Sequence, residues 1–174
     1  MKDALELETR RRIFQKISAF PGMYFREIQR ALKLEVGEVE YHLGYMEKAG
    51  LVNVMLDGNR KRYFARGSVD ASDRKILSLL RQEVPRQIVI NILLTEKRSF
   101  QELLEKIGKA KSTMSFHLSK LTEGGHLSVE RVGKENVYSV THPEKMAKLL
   151  IIYRETFLDE AVDRFAEAWL ELRP

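Results

Sequence analysis

Between residues 109 and 120 the chain gathers Lys109, Lys111, Ser112, Thr113, Ser115, Phe116 and Lys120. Ammonium groups neutralise phosphate, and small hydroxyls bond either phosphate oxygens or the edges of bases. Helical spacing sends Met114, Leu118 and Leu121 inward, which leaves the cations and hydroxyls outward or at the rim. A second basic set, Arg60, Lys61 and Arg62, flanks the tight turn Asp57-Gly58-Asn59, and Arg131 and Lys134 flank another around Gly133-Lys134-Glu135. Both sets read as grips on phosphate. No other chemistry finds its residues. His42 and His117 sit mid-helix beside an inward leucine and read as fold elements or phosphate contacts; His126 opens a strand and His142 precedes Pro143. Neither they nor the acidic Asp159, Glu160 and Asp163 have a metal-ligand spacing. The absence of cysteine removes disulfides, thiolate metal sites and thiol redox sensing together. Neither Gly-Lys-Ser/Thr nor Gly-x-Ser-x-Gly occurs. The expectation is a protein without catalysis, cofactor or metal.

The elements that position these residues occur twice. Displaced by 75 residues, the chain matches itself without a gap: Phe25-Arg26-Glu27-Ile28 falls on Phe100-Gln101-Glu102-Leu103, Tyr41-His42-Leu43 on Phe116-His117-Leu118, Gly50 on Gly125, Gly58 on Gly133 and Tyr63 on Tyr138. A single period of this length means two copies of one small domain. In each copy a helix (Arg11–Ala19, then 86–95) is followed by a short helix carrying Phe25, Ile28, Ala31 and Leu32, or 99–107, and by a third over 36–49 or 112–123. Gly50 stands where a helix end needs a left-handed residue. Strands Leu51–Leu56 and Arg62–Phe64 around a hairpin turn close the copy. The fold class is therefore mainly α with small β-hairpin wings: two tandem winged helix-turn-helix domains, 1–69 and 86–142. A connecting helix over 70–85 joins them, with Ser72 as its N-cap and Pro85 in the first turn of the next helix.

Phe25–Arg30 leading to Val39–Leu43 and Met46–Val52 resembles the ArsR/MarR-type winged-helix core, and Lys111–Leu121 resembles that family's recognition helix. Two such domains in one short chain resemble the archaeal transcriptional regulators with tandem helix-turn-helix domains. The resemblance covers residues 10 to 142. It implies double-stranded DNA as partner, with transcription machinery as a further one; a cytoplasmic location is expected instead from the lack of a bilayer-length apolar run and of a charged-then-apolar secretory start.

Charge supports phosphate contact. The chain carries a net +5; residues 1–69 hold four excess cations, 70–142 three, and the tail from 143 two excess anions. The first copy departs at its recognition helix, where Glu35, Glu38 and Glu40 replace lysine and hydroxyls. Two readings stay open there: a domain that grips backbone through its basic wing, or an acidic face that meets a protein. The second belongs to an alternative class, a tandem winged-helix interaction scaffold without sequence-specific DNA binding. The tail, 143–174, reads as one long helix with Tyr153, Phe157, Ala161, Phe165 and Trp169 along one stripe. At ~1.5 Å per residue it outruns the domain beside it, so the stripe is expected to make a homodimer. No apolar run approaches the ~20 residues that span a bilayer.

Overall fold

Apolar residues at helical spacing fold the first copy where the pattern places them. A computed structural model of the chain describes residues 7–172, in two compact units, Met1–Lys75 and Ile76–Pro174. In the first unit α1 (Glu8–Ala19) buries Ile13 and Ile17, α2 (Phe25–Leu32) buries Ile28, and α3 (Val36–Lys48) buries Val39, Leu43 and Met46. These side chains meet Met23, Leu51, Val52, Tyr63 and Ala65 in one core. Gly50 takes φ 67° beyond α3, and its amide donates to the carbonyl of Glu47 at 3.0 Å, which turns the chain into the wing. Strands β2 (Val52–Asp57) and β3 (Arg60–Ala65) pair antiparallel with Asp57 opposite Arg60, leaving Gly58 and Asn59 as the tip. A two-residue strand, β1 (Met23–Tyr24), pairs with the other edge of β3, Met23 opposite Tyr63, so the sheet order is β1-β3-β2.

Every one of these elements recurs about 75 residues on. The second unit has α5 (Glu83–Thr95), β4 (Lys97–Ser99), α6 (Phe100–Ile107), α7 (Lys111–Glu123), β5 (Leu127–Val132) and β6 (Glu135–Val140), with sheet order β4-β6-β5. Leu103, Met114, Leu118 and Leu121 are buried as their counterparts are. The helix α6 starts at a reciprocal cap: the Glu102 amide donates to the Ser99 hydroxyl at 3.3 Å, and the Ser99 amide to the Glu102 carboxylate at 2.7 Å. That carboxylate titrates below its usual range, through the Ser99 amide first and Arg98 second. Strands β1 and β4 depart from expectation, being too short to show alternation in the sequence.

Two helical expectations are corrected. The connecting helix is α4 (Ala71–Leu80), shorter than expected; Ser72 lies inside it, its hydroxyl donating to Asp73 at 3.2 Å, and α5 starts at Glu83 with Pro85 in its first turn. The single long C-terminal helix does not exist. In its place are α8 (Pro143–Ile152), a 3-10 turn (Arg154–Thr156) and α9 (Glu160–Leu172). Leu158 adopts φ 50°, and Asp159 caps α9 by accepting the Ala161 amide at 3.0 Å. The same carboxylate holds Arg86 of α5, with 2.8 Å from Nε and 2.7 Å from the terminal nitrogen. The helix α9 then packs on α8 and α5 and buries Val162, Phe165 and Trp169. Phe157 is buried as well, while Tyr153 and Ala161 are half-buried. The stripe offered to a second copy is thus largely covered within its own unit. No helix among the described residues is long and apolar enough to cross a membrane.

Candidate nucleic-acid interface

The turn Gly108–Ala110 sets α7 against α6, and burial of Met114, Leu118 and Leu121 fixes which face remains outside. That face carries Lys111, Ser112, Ser115, Phe116 and Lys120, all exposed, with Thr113 half-buried at its edge. No acidic residue lies in the first turn of α7. Lys120 holds its ammonium 5.0 Å from the centre of the Phe116 ring, close enough for a cation–π contact. Lys109 sits just before the helix and pairs with Glu83 at 3.3 Å, a surface contact of small worth. Beside α7, Ser115, Ser119, Thr122, Val129, Asn136 and Tyr138 line an open groove of about 510 Å³ that runs to the wing. Arg131 and Lys134 are exposed on that wing, and Arg131 reaches back to the Gly133 carbonyl at 3.4 Å and Asn136 at 3.3 Å.

The first wing is built differently. Arg62 is expected at a surface, yet its side chain is only 2% exposed. Its Nε donates to Asp57 at 2.8 Å and a terminal nitrogen donates to the Gly22 carbonyl at 2.8 Å. Tyr24 completes the cluster: its hydroxyl donates to Asp57 at 2.6 Å, and its ring lies 3.9 Å from the Arg62 guanidinium. Burial, and then the Asp57 hydrogen bond, raise the Tyr24 pKa. Arg62 is therefore a structural staple between the wing and the β1 segment that precedes α2, and only Arg60 and Lys61 face outward. Arg62 lies opposite Tyr24, where β1 covers β3, whereas Arg60 and Lys61 lie beyond that pairing toward the tip. The corresponding residues of the second unit, Val132, Val137 and Ser99, make no such staple.

Arg60 and Lys61 open onto a cleft of about 710 Å³ whose opposite wall is α2, with Arg26 and Arg30. Arg60 stacks 4.2 Å from the Tyr24 ring; Lys61 has Glu47 at 3.9 Å; Arg26 donates to Gln29 at 2.9 Å. Four cations around one open cleft make an anion-attracting site. Arg26 and Arg30 were missed, although their four-residue spacing places them on one side of α2.

The acidic stretch before α3 also resolves. Glu35 holds the N-cap position, and its amide donates to the carboxylate of Glu38 at 3.2 Å. Two of the three carboxylates therefore sit at a helix N-terminus, where negative charge is favoured. Glu40 alone remains on the solvent face of the helix without that role. His42 and His117 are buried and half-buried, and the Nδ1 of each lacks a hydrogen-bond partner. A charged imidazole would need acceptors at both nitrogens. Burial first, then Arg10 for His42 and Lys120 for His117, lowers both pKa values. Their burial ties them to the fold, and no cluster of metal-ligating side chains occurs among the described residues.

Residues 7–77 match the model of a family described as an N-terminal HTH domain. The chain is 28% identical over 133 residues to a Methanocaldococcus jannaschii protein, "Uncharacterized HTH-type transcriptional regulator MJ1398". The match covers 76% of this chain but only 33% of that relative. Among solved structures, reduced HlyU from Vibrio cholerae shares 24% identity at TM-score 0.43, covering 49% of this chain and 88% of that one. Rv0081 of M. tuberculosis shares 27% at TM-score 0.42, covering 52% and 89%. With two three-stranded sheets, each joined to three helices, and a family match described as an N-terminal HTH domain over residues 7–77, the chain has the tandem winged helix-turn-helix architecture and is similar to an archaeal HTH-type transcriptional regulator.

Proposed function

We propose that this protein is a sequence-specific DNA-binding transcriptional regulator, acting by occupying or opening promoter DNA in the path of the transcription machinery. The observation that carries the reading is the outer face of α7, where Lys111, Ser112, Ser115, Phe116 and Lys120 stand exposed with no carboxylate in the first turn. Such a helix suits the major groove, its hydroxyls at base edges and its lysines at phosphate. The first unit adds the cleft of Arg26, Arg30, Arg60 and Lys61 as a grip on backbone. The interaction-scaffold alternative draws on three carboxylates at α3, and capping accounts for two of them. The homodimer draws on a helix length that the chain does not have. One chain already holds two recognition helices.

Binding to random and genomic duplex across a salt series tests this. The expected outcome is steep salt dependence with an added sequence-specific component. In the double variant Lys111→Ala/Lys120→Ala the log–log slope should flatten by up to about two. No binding even at low salt would instead favour the scaffold.

A further inference from the structure

Gly37, Tyr41 and Gly44 lie on one line of α3, the line opposite the buried Val39, Leu43 and Met46. Ser112, Phe116 and Ser119 occupy the same line of α7 at the same offsets. On this line each helix thus presents an aromatic ring with a very small residue about one turn to either side. The rings are exposed, Tyr41 by 63% and Phe116 by 56%, and they are held alike. Tyr41 meets His42 edge-on at 5.1 Å, and Phe116 meets His117 edge-on at 5.2 Å. Nothing inside the molecule requires the glycines, because a Cβ at either position would find no atom within 4 Å and neither takes a positive φ. A single exposed aromatic would be ordinary. Two in one register, each in a gap that lets the helix backbone come close to whatever the ring touches, point to a common contact.

We infer that Tyr41 and Phe116 are specificity-determining residues, each seating its ring against the C5-methyl of a thymine in the major groove. This rests on the DNA-binding reading above. Thymine alone offers an apolar group at that groove edge, and aromatic side chains are among its partners. The lysine over Phe116 brings a cation to the same ring and so toward the neighbouring phosphates. In the first unit the position equivalent to that lysine is Tyr45, which stays 40% exposed with Arg10 at 3.7 Å from its ring, so Tyr41 is the more outward ring of that helix. The first recognition helix is then a reader of bases, with Glu40 beside the ring as a candidate acceptor for cytosine.

The test uses the full chain and a duplex selected from a random library. Each thymine of the selected site is replaced in turn by deoxyuridine, which removes the methyl and nothing else. The unaltered protein should lose about fourfold in affinity at each thymine under a ring, the worth of one buried carbon. Phe116→Ala should be weaker on the thymine duplex and indifferent to uracil at one set of positions, and Tyr41→Ala at another; Tyr41→Phe should keep the sensitivity. Equal binding of thymine and uracil duplexes by the unaltered protein overturns the inference, as does a selected site without thymine. Neither of these two outcomes depends on a variant folding. Failure of the underlying reading is seen separately: random duplex would then compete as well as the selected one.

Discussion

Replacing Arg62 by alanine takes the guanidinium away from Asp57 and removes the bond to the Gly22 carbonyl. The Asp57 carboxylate left behind is 27% exposed and keeps the Tyr24 hydroxyl, so the cost is about 1–3 kcal/mol, and this variant should unfold the first unit at a lower temperature. Arg60→Ala/Lys61→Ala should melt normally and weaken specific and non-specific DNA binding by similar factors, since phosphate contacts carry no direct sequence information. Melting curves and binding to both kinds of duplex check the pair; equal stability of the two variants would contradict the staple. The histidines give a second prediction. His42 and His117 have pKa values lowered mainly by burial, and so does His126, with His142 and Lys145 adding to it. The unfolded chain then takes up protons near pH 6.5 that the folded chain refuses. Stability should be intact above that pH and fall as pH drops through it toward the lower folded-state values. Thermal melts at pH 7.5 and 5.5 should show the loss, reduced in His42→Gln/His117→Gln; a loss of the same size would place the effect elsewhere.

At the scale of elements, α3 carries two glycines, Gly37 and Gly44, whose Cβ positions are open. Glycine inside a helix costs about 1 kcal/mol relative to alanine, and the space around the Gly44 Cβ position is empty. Gly44→Ala should therefore raise the stability of the first unit by roughly 0.5–1 kcal/mol while lowering DNA affinity. A variant both more stable and equally tight would show that nothing approaches this face. The wings contrast in the same way: the first is stapled to β1 through Asp57, Arg62 and Tyr24, whereas the second depends on strand pairing and on exposed pairs such as Lys97–Glu130, which hold little.

For the whole molecule, the C-terminal segment belongs to the second unit's core. Cutting the chain after His142 would leave both units folded if the tail served assembly alone. With α9 packed on α5 and Phe165, Val162 and Trp169 buried, removal uncovers apolar surface at about 25 cal/mol per Å². The cut also leaves Arg86, 5% exposed, without Asp159. The expected outcome is loss of cooperative unfolding for the second unit while the first still melts normally, read by calorimetry. Retention of both transitions would restore the tail as a separable piece.

The repeat, both sets of three helices, the wings and their turns were legible in residue order, because helix period, Gly50 and Gly58 are local signals that reach no further than a few residues. The C-terminal break was only half legible. Asp159 followed by Glu160 and Ala161 is a helix-start signal, but the apolar spacing runs through Tyr153, Phe157 and Ala161 without interruption, so periodicity alone continued the helix. The partner that makes the break stable, Arg86, lies 73 residues away. Arg62 shows the same limit, since three consecutive cations look equivalent until β3 turns one of them inward against Asp57 and Gly22. Sequence determined the elements of each repeat from local signals; tertiary structure decided where the C-terminal helix breaks and which charges are buried, because both depend on contacts between elements distant in the chain.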